Sequence, residues 1–199
     1  FKNLGFIVKL HNNLKGDEII QEMKSYARED HRQYDCFVCV ITSHGIRDEI
    51  LGSDGVSVPI RSLTDPFKAI PCPDLCGKPK LFFIDACQGH ERQQGESFGK
   101  ASPVDPVVEV IPNEADFLMA YATVPGFVSY LDNRTGSFFI QTLCKALEEY
   151  AERLDILHIL TMVNSAVGEF NITIDDSKCK QSPGPLFTLR KLLFLKPPK

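Results

Sequence analysis

Three short apolar runs punctuate the chain: Cys36–Thr42, Lys80–Asp85 and Phe117–Ala122, each six or seven residues long. None alternates apolar with polar residues. A strand with one wet face alternates, so continuous runs rich in β-branched and aromatic residues predict strands covered on both faces. The first run ends at Ser43-His44-Gly45, the second at Ala86-Cys87-Gln88-Gly89, and the third stops before Pro125-Gly126. Other segments carry a helical period. Asp17–Asp30 gathers Ile19, Ile20, Met23, Tyr26 and Ala27 on one face, and Ser137–Arg153 gathers Phe139, Leu143, Leu147 and Tyr150. Leu154–Val167 repeats the pattern through Leu157, Leu160 and Val163. After a polar stretch, Asp175–Pro185, the segment Leu186–Leu195 is expected to form a final strand, buried on both faces or at an interface. Buried strands separated by helices predict an α/β fold with a mostly parallel sheet between two helical layers.

Between Gly89 and Pro112 the periodicity stops. Gln93–Ser97 and Ser102–Pro106 are rich in breakers, and a long connection of that kind is usually functional or disordered. It divides the chain into a larger portion (1–90), a linker (91–112) and a smaller portion (113–199), the outer two sharing one sheet. The length of 199 residues suits a single domain. With 22 basic against 26 acidic residues the net charge is −4, which argues against a nucleic-acid partner. The longest apolar runs, such as Cys36–Ile41, fall far short of the ~20 residues that span a bilayer, so no membrane segment is expected. The chain opens at Phe1 rather than Met, as expected of a fragment or a processed form.

Seven cysteines, an odd number scattered among buried-looking segments, predict a reducing, cytoplasmic setting rather than a disulfide framework. Most are expected to act as small hydrophobes. Cys36-x2-Cys39 has metal-like spacing but lies on a strand, where residues three apart face opposite sides. Cys72-x3-Cys76 sits in a loop with no second pair, so zinc is not expected. Cys144 is expected at a buried helix position and Cys179 in a loop. Cys87 differs from the rest. In an open α/β sheet, functional groups collect beyond the carboxyl ends of strands, and two such ends present His44 and Cys87. An imidazole beside a thiol can take its proton and make the thiolate that attacks a carbonyl carbon. The amides of Gly45 and Cys87 are candidates to hold the developing oxyanion, and glycine at 45 lets backbone approach a substrate closely. The plainer alternative is a buried strand-end cysteine and an unrelated loop histidine.

The local sequence favours the catalytic alternative. Ser43-His44-Gly45, followed 43 residues later by Asp85-Ala86-Cys87-Gln88-Gly89, resembles the histidine and cysteine motifs of the caspase family. Asp35–Gly45, Gly77–Ile84, Ala115–Leu118, Val124–Gly126 and Gly136–Gln141 also resemble caspase segments, in caspase order. The resemblance covers nearly the whole chain and lacks only the family's amino-terminal strand. It implies a three-layer α/β sandwich in which a large and a small subunit share a six-stranded, mostly parallel sheet with helices on both faces. It also implies dimerisation through the last strand, with a second copy or an active caspase paralogue. By position, His44 is implied as general base and acid, Cys87 as nucleophile, and Gly45 with Cys87 as the oxyanion hole. No cofactor or metal is implied. Ser129, Tyr130 and Phe138 match positions that line the family's substrate groove.

Two positions depart from the family. Caspases cut after aspartate because a basic pocket receives the side-chain carboxylate. The family's pocket glutamine is replaced by Asp85, and its small-subunit arginine by Leu131. Losing one partner of a buried ion pair costs ~2–5 kcal/mol. At ~1.4 kcal/mol per tenfold, that is roughly 10²- to 10⁴-fold in turnover. Arg134, three residues on, falls in an expected exposed turn and is not expected to substitute. In the linker, the only aspartate between Gln88 and Glu114 is Asp105, followed by Pro106, so an uncut chain is expected. Three functions remain open: a catalytically impaired pseudo-caspase that regulates an active paralogue by dimerisation, in apoptotic or related signalling; a cysteine endopeptidase still cleaving protein or peptide substrates after aspartate with weakened specificity; or one selecting lysine or arginine through an acidic pocket. The related metacaspases are similar in having aspartate at the offset of Asp85.

Overall fold

The computed structural model describes residues 1–89, 112–132, 134–174 and 177–196. In chain order its helices are α1 (Gly16–Ala27), α2 (Ile60–Thr64), α3 (Phe138–Tyr150) and α4 (Ile156–Glu169). Its strands are β1 (Phe37–Thr42), β2 (Gly45–Ile46), β3 (Glu49–Leu51), β4 (Ser57–Pro59), β5 (Lys80–Asp85), β6 (Phe117–Tyr121), β7 (Leu131–Asp132), β8 (Gly136–Ser137), β9 (Ile172–Ile174), β10 (Ser177–Cys179) and β11 (Gly184–Phe187). The main sheet runs β1-β5-β6-β11; the first three strands are parallel and β11 is antiparallel to β6.

The period of two along a strand explains the layers. In β5, Leu81 and Phe83 face a core built with Phe139, Leu143, Leu147, Ile159, Leu160 and Val163 of α3 and α4. Phe82 and Ile84 face the opposite core, with Met23 and Ala27 of α1, Leu63 of α2 and Phe67. All four are fully buried, which is why the run shows no alternation. The expected α/β sandwich is present, with helices on both faces of a mixed sheet. The two longest helices each start on a side-chain cap. Ser137 Oγ accepts the Ile140 N–H of α3 at 3.2 Å, and Asp155 Oδ1 accepts the Leu157 N–H of α4 at 3.1 Å.

Two sequence expectations are corrected. The described main sheet has four strands where six were implied, with β1 on one side as an outer strand. The final strand is Gly184–Phe187 rather than Leu186–Leu195. It opens inside the polar stretch because Pro185, which has no N–H to donate, is tolerated on an edge strand. It ends early because the chain turns back to the sheet. Asp116 N–H donates to Thr188 O at 3.0 Å, and Arg190 clasps the Asp116 carboxylate through Nε (3.0 Å) and Nη2 (2.6 Å). Burial pushes Asp116 up, but the guanidinium outweighs it and leaves the carboxyl below its ordinary range. The linker expected at 91–112, with Asp105, falls outside the described residues except for Pro112.

Candidate active site

Strand register sets the site. β1 and β5 run parallel with Thr42 opposite Asp85, and Ser43 N–H donates to Asp85 O at 3.0 Å. His44 and Cys87 each lie two residues beyond that pair, so both emerge at the carboxyl edge of neighbouring strands. Both line a groove of about 1370 Å³, together with Asp85, Ser129, Tyr130 and Leu131. After His44 the chain folds into the small sheet β2-β3-β4, where Leu51 N–H donates to His44 O at 2.8 Å and Ser43 Oγ donates to Leu51 O at 2.6 Å. Gly45 packs directly on the cysteine turn. A Cβ there would sit 2.9 Å from both Ala86 Cβ and Cys87 O, so only glycine lets the histidine loop lie this close. Gly89 likewise abuts the backbone of Gly126, 2.2 Å from where its Cβ would be.

The Cys87 thiol is half-buried and donates to Ser129 O at 3.8 Å, with Ser129 Oγ at 3.9 Å. His44 is exposed in the same groove without a hydrogen bond to the thiol among the described residues. Catalytic contacts are commonly long in substrate-free proteins and tighten when a substrate docks. Ser129 is therefore a direct neighbour of the sulfur.

Asp85 is 5% exposed and hydrogen-bonded to the Ser137 hydroxyl. Burial pushes its carboxyl above the ordinary range, and the Ser137 bond only partly opposes this. Among the described residues no cation pairs with it. Leu131 is 61% exposed at the start of a two-strand ribbon in which it stands opposite Ser137. Arg134 lies in the exposed turn of that ribbon, where Asp132 Oδ1 accepts its N–H at 2.8 Å; it does not line the groove. Tyr130 is buried and lines the groove. Phe138 packs on Phe170 with ring centroids 4.8 Å apart and is not among the groove-lining residues.

Two residues escaped the sequence reading. Gln181 is fully buried; its Nε2 donates to Ala122 O and its Oε1 accepts the Tyr130 N–H, both at 2.8 Å. It fixes the backbone of the pocket wall. Ser137 serves as helix cap and as partner of Asp85 at once. Gln181 had no signal in the sequence, since it acts on residues distant in the chain. Ser137 stood at the expected helix start, but nothing in the sequence tied it to Asp85.

Burial quiets two of the other cysteines. All seven are free. Burial pushes the Cys36 thiol up to about 11 and Cys39 up to about 12, which keeps both protonated and inert. Cys144 is exposed on α3 rather than buried, and Cys179 is buried at the end of β10 rather than in a loop. Among the described residues no group of three or more His, Cys, Asp or Glu is placed to hold a metal ion, and no helix is long and apolar enough to cross a membrane.

Comparison with known proteins gives the family and the fold. The family model described as Caspase domain (Peptidase_C14) matches residues 1–194. Caspase-3 of Xenopus laevis is 43% identical over 167 residues, covering 84% of this chain and 59% of that protein. Caspase-8 of Mus musculus is 42% identical over 207 residues, covering 99% of this chain and 43% of that protein. The chain thus spans less than two thirds of these relatives. The crystal structure of caspase-1 from Spodoptera frugiperda superposes with a TM-score of 0.89 at 34% identity, covering all of this chain and 77% of that one.

Proposed function

The chain belongs to the caspase family, and from that premise we propose that it is a pseudo-caspase: it keeps the cysteine–histidine pair, has lost aspartate recognition, and regulates an active paralogue in apoptotic or related signalling. In the family's chemistry, the imidazole takes the thiol proton, the thiolate attacks the substrate carbonyl, and the protonated imidazole delivers its proton to the leaving amine. Water then attacks the acyl-enzyme with the same imidazole as base. His44 and Cys87 are suited to those steps, so the pair itself is not what is impaired. No cofactor is needed.

The observation that carries the reading is the pocket. An aspartate side chain needs cationic donors, but beside Cys87 the groove offers the buried Asp85 carboxylate and the isobutyl group of Leu131, and neither lysine nor arginine among Asp85, Ser129, Tyr130 and Leu131. A substrate carboxylate beside Asp85 would be repelled, and among the described residues no cation pairs with Asp85. Partner binding is proposed through the carboxyl-terminal edge strand β11, on which Leu186 (67%) and Phe187 (47%) are exposed. Such an edge carries unpaired backbone donors and acceptors that another strand can satisfy. A cytoplasmic location fits the seven free thiols.

One observation favours a second reading. The Asp85 carboxylate has no cation of its own among the described residues, so a lysine or arginine side chain of a substrate would supply one. The test is turnover of aspartyl and arginyl peptide reporters by the purified protein, with Cys87→Ala as control, beside co-expression with an active caspase. Silence on both reporters with altered activity of the co-expressed enzyme is expected. Robust Cys87-dependent cleavage after aspartate overturns the proposal, and cleavage after arginine alone selects the second reading.

A further inference from the structure

The histidine loop and the cysteine turn come from different strands, and one buried side chain joins them. Gln88 is 1% exposed. Its backbone is held on both sides: its N–H donates to Phe127 O at 2.9 Å, and its carbonyl accepts the Gly126 N–H at 2.7 Å. Those bonds fix the root of the side chain beside Cys87. The tip crosses to the other loop, where Oε1 accepts the Asp48 N–H at 3.2 Å.

Asp48 is the turn residue between β2 and β3, in the left-handed region at φ 61°. Its own carbonyl accepts the Ile60 N–H at 2.9 Å, and its carboxylate is turned outward toward Arg47 at 3.8 Å. The contact with Gln88 is therefore through backbone alone. The β2–β3 hairpin begins directly after His44, and its return strand holds the His44 carbonyl through Leu51 N–H at 2.8 Å. A continuous run of bonds thus leads from Cys87 through Gln88 and Asp48 to His44. At the same time Gln88 Nε2 is buried without a hydrogen-bond partner among the described residues. A buried donor left unpaired is destabilising, and an apolar side chain of equal length avoids that cost. The amide makes sense here through its oxygen.

We propose that Gln88 is a positioning residue: its side-chain carbonyl braces the β2–β3 turn and so sets His44 relative to the Cys87 sulfur. The inference rests on reading His44 and Cys87 as a reactive pair, and it needs no substrate to be known. Gln88→Met removes the acceptor at nearly constant length, and Gln88→Asn keeps the amide but falls one methylene short of Asp48.

The experiment uses the full chain. Alkylation of Cys87 by iodoacetamide is followed by peptide mass spectrometry from pH 5 to 9 for the wild type, Gln88→Met, Gln88→Asn and His44→Ala, with thermal unfolding of each to verify folding. Both Gln88 variants are expected to alkylate about 10- to 100-fold more slowly near neutral pH, because small displacements of a paired group carry penalties of that order. Their pH profiles should move toward that of His44→Ala. A wild-type profile in a folded Gln88→Met or Gln88→Asn protein, with His44→Ala shifted, overturns the proposal alone. An unshifted His44→Ala profile overturns the reactive-pair reading and this proposal with it.

Discussion

Asp85 and Ser137 are hydrogen-bonded to each other below the groove, although they lie on different sheets and the same hydroxyl also caps α3. The serine stabilises a carboxylate whose ionisation burial opposes. A folded-state carboxyl raised above its unfolded value binds its proton more tightly in the native protein. Stability is therefore lost as pH rises through the unfolded and then the folded value. Asp85→Asn is expected to raise the melting temperature at pH 7, with the gain fading as the pH falls toward about 4, where aspartate in the unfolded chain is protonated. Melting curves across that range check the sign.

Ser137→Ala removes the cap and the carboxylate's partner together. The cap alone is worth about 1–2 kcal/mol. The loss should be greater at pH 7 than near pH 4, because at neutral pH Asp85 also loses the bond that offsets its burial. Urea unfolding at the two pH values measures the difference.

If the pocket, rather than the catalytic pair, is what is lost, rebuilding it should restore activity. Asp85→Gln combined with Leu131→Arg is expected to raise Cys87-dependent turnover of aspartyl reporters by about 10²-fold or more, the scale of one regained buried charge pair. No gain in a folded double variant would shift the fault to the pair itself.

Gly45→Ala inserts a methyl group where Glu49 O stands 2.7 Å away and Cys87 O 2.9 Å away. The backbone must move, at a cost of about 1–3 kcal/mol for overpacking. Since the movement separates the His44 loop from the cysteine turn, labelling of Cys87 near neutral pH should slow along with the fall in melting temperature.

Gln181→Leu takes away the buried side-chain partner of two groups, the Ala122 carbonyl and the Tyr130 N–H. Each such group costs about 1–3 kcal/mol, so a loss of at least about 2 kcal/mol in urea unfolding is expected. The same variant should broaden the amide signals of 129–131, because their anchor is gone.

Strand β5 was legible to the residue, because a strand buried on both faces needs an uninterrupted apolar run and Lys80–Asp85 supplies one. The three long helices were legible by period, though the short α2 was not, and His44 and Cys87 were legible as residues following apolar runs. β1 nonetheless has no buried residue where its run predicted burial on both faces. What the sequence concealed was contact between distant residues. Gln181 meets Tyr130 across 51 positions and Ala122 across 59, from inside a polar stretch that reads as a loop. The end of the last strand was concealed for a related reason. Leu186, Leu192 and Phe194 look like core, yet all three are exposed: Leu186 on the edge strand itself, and Leu192 and Phe194 beyond it, after the Arg190–Asp116 pair has pinned the chain beside the start of β6. Cys144 illustrates the converse: a small apolar residue on a helix sits on whichever face the neighbouring residues leave to it.

Gln181 also stands three residues before β11, and Ser182 beside it accepts the Val124 N–H at 3.0 Å through its carbonyl. The residue that anchors the wall at Tyr130 and the edge that a partner strand would grip are therefore neighbours on one short stretch of backbone. If edge pairing changes affinity for a peptide at Tyr130, linkage requires a bound peptide to change affinity at the edge by the same factor.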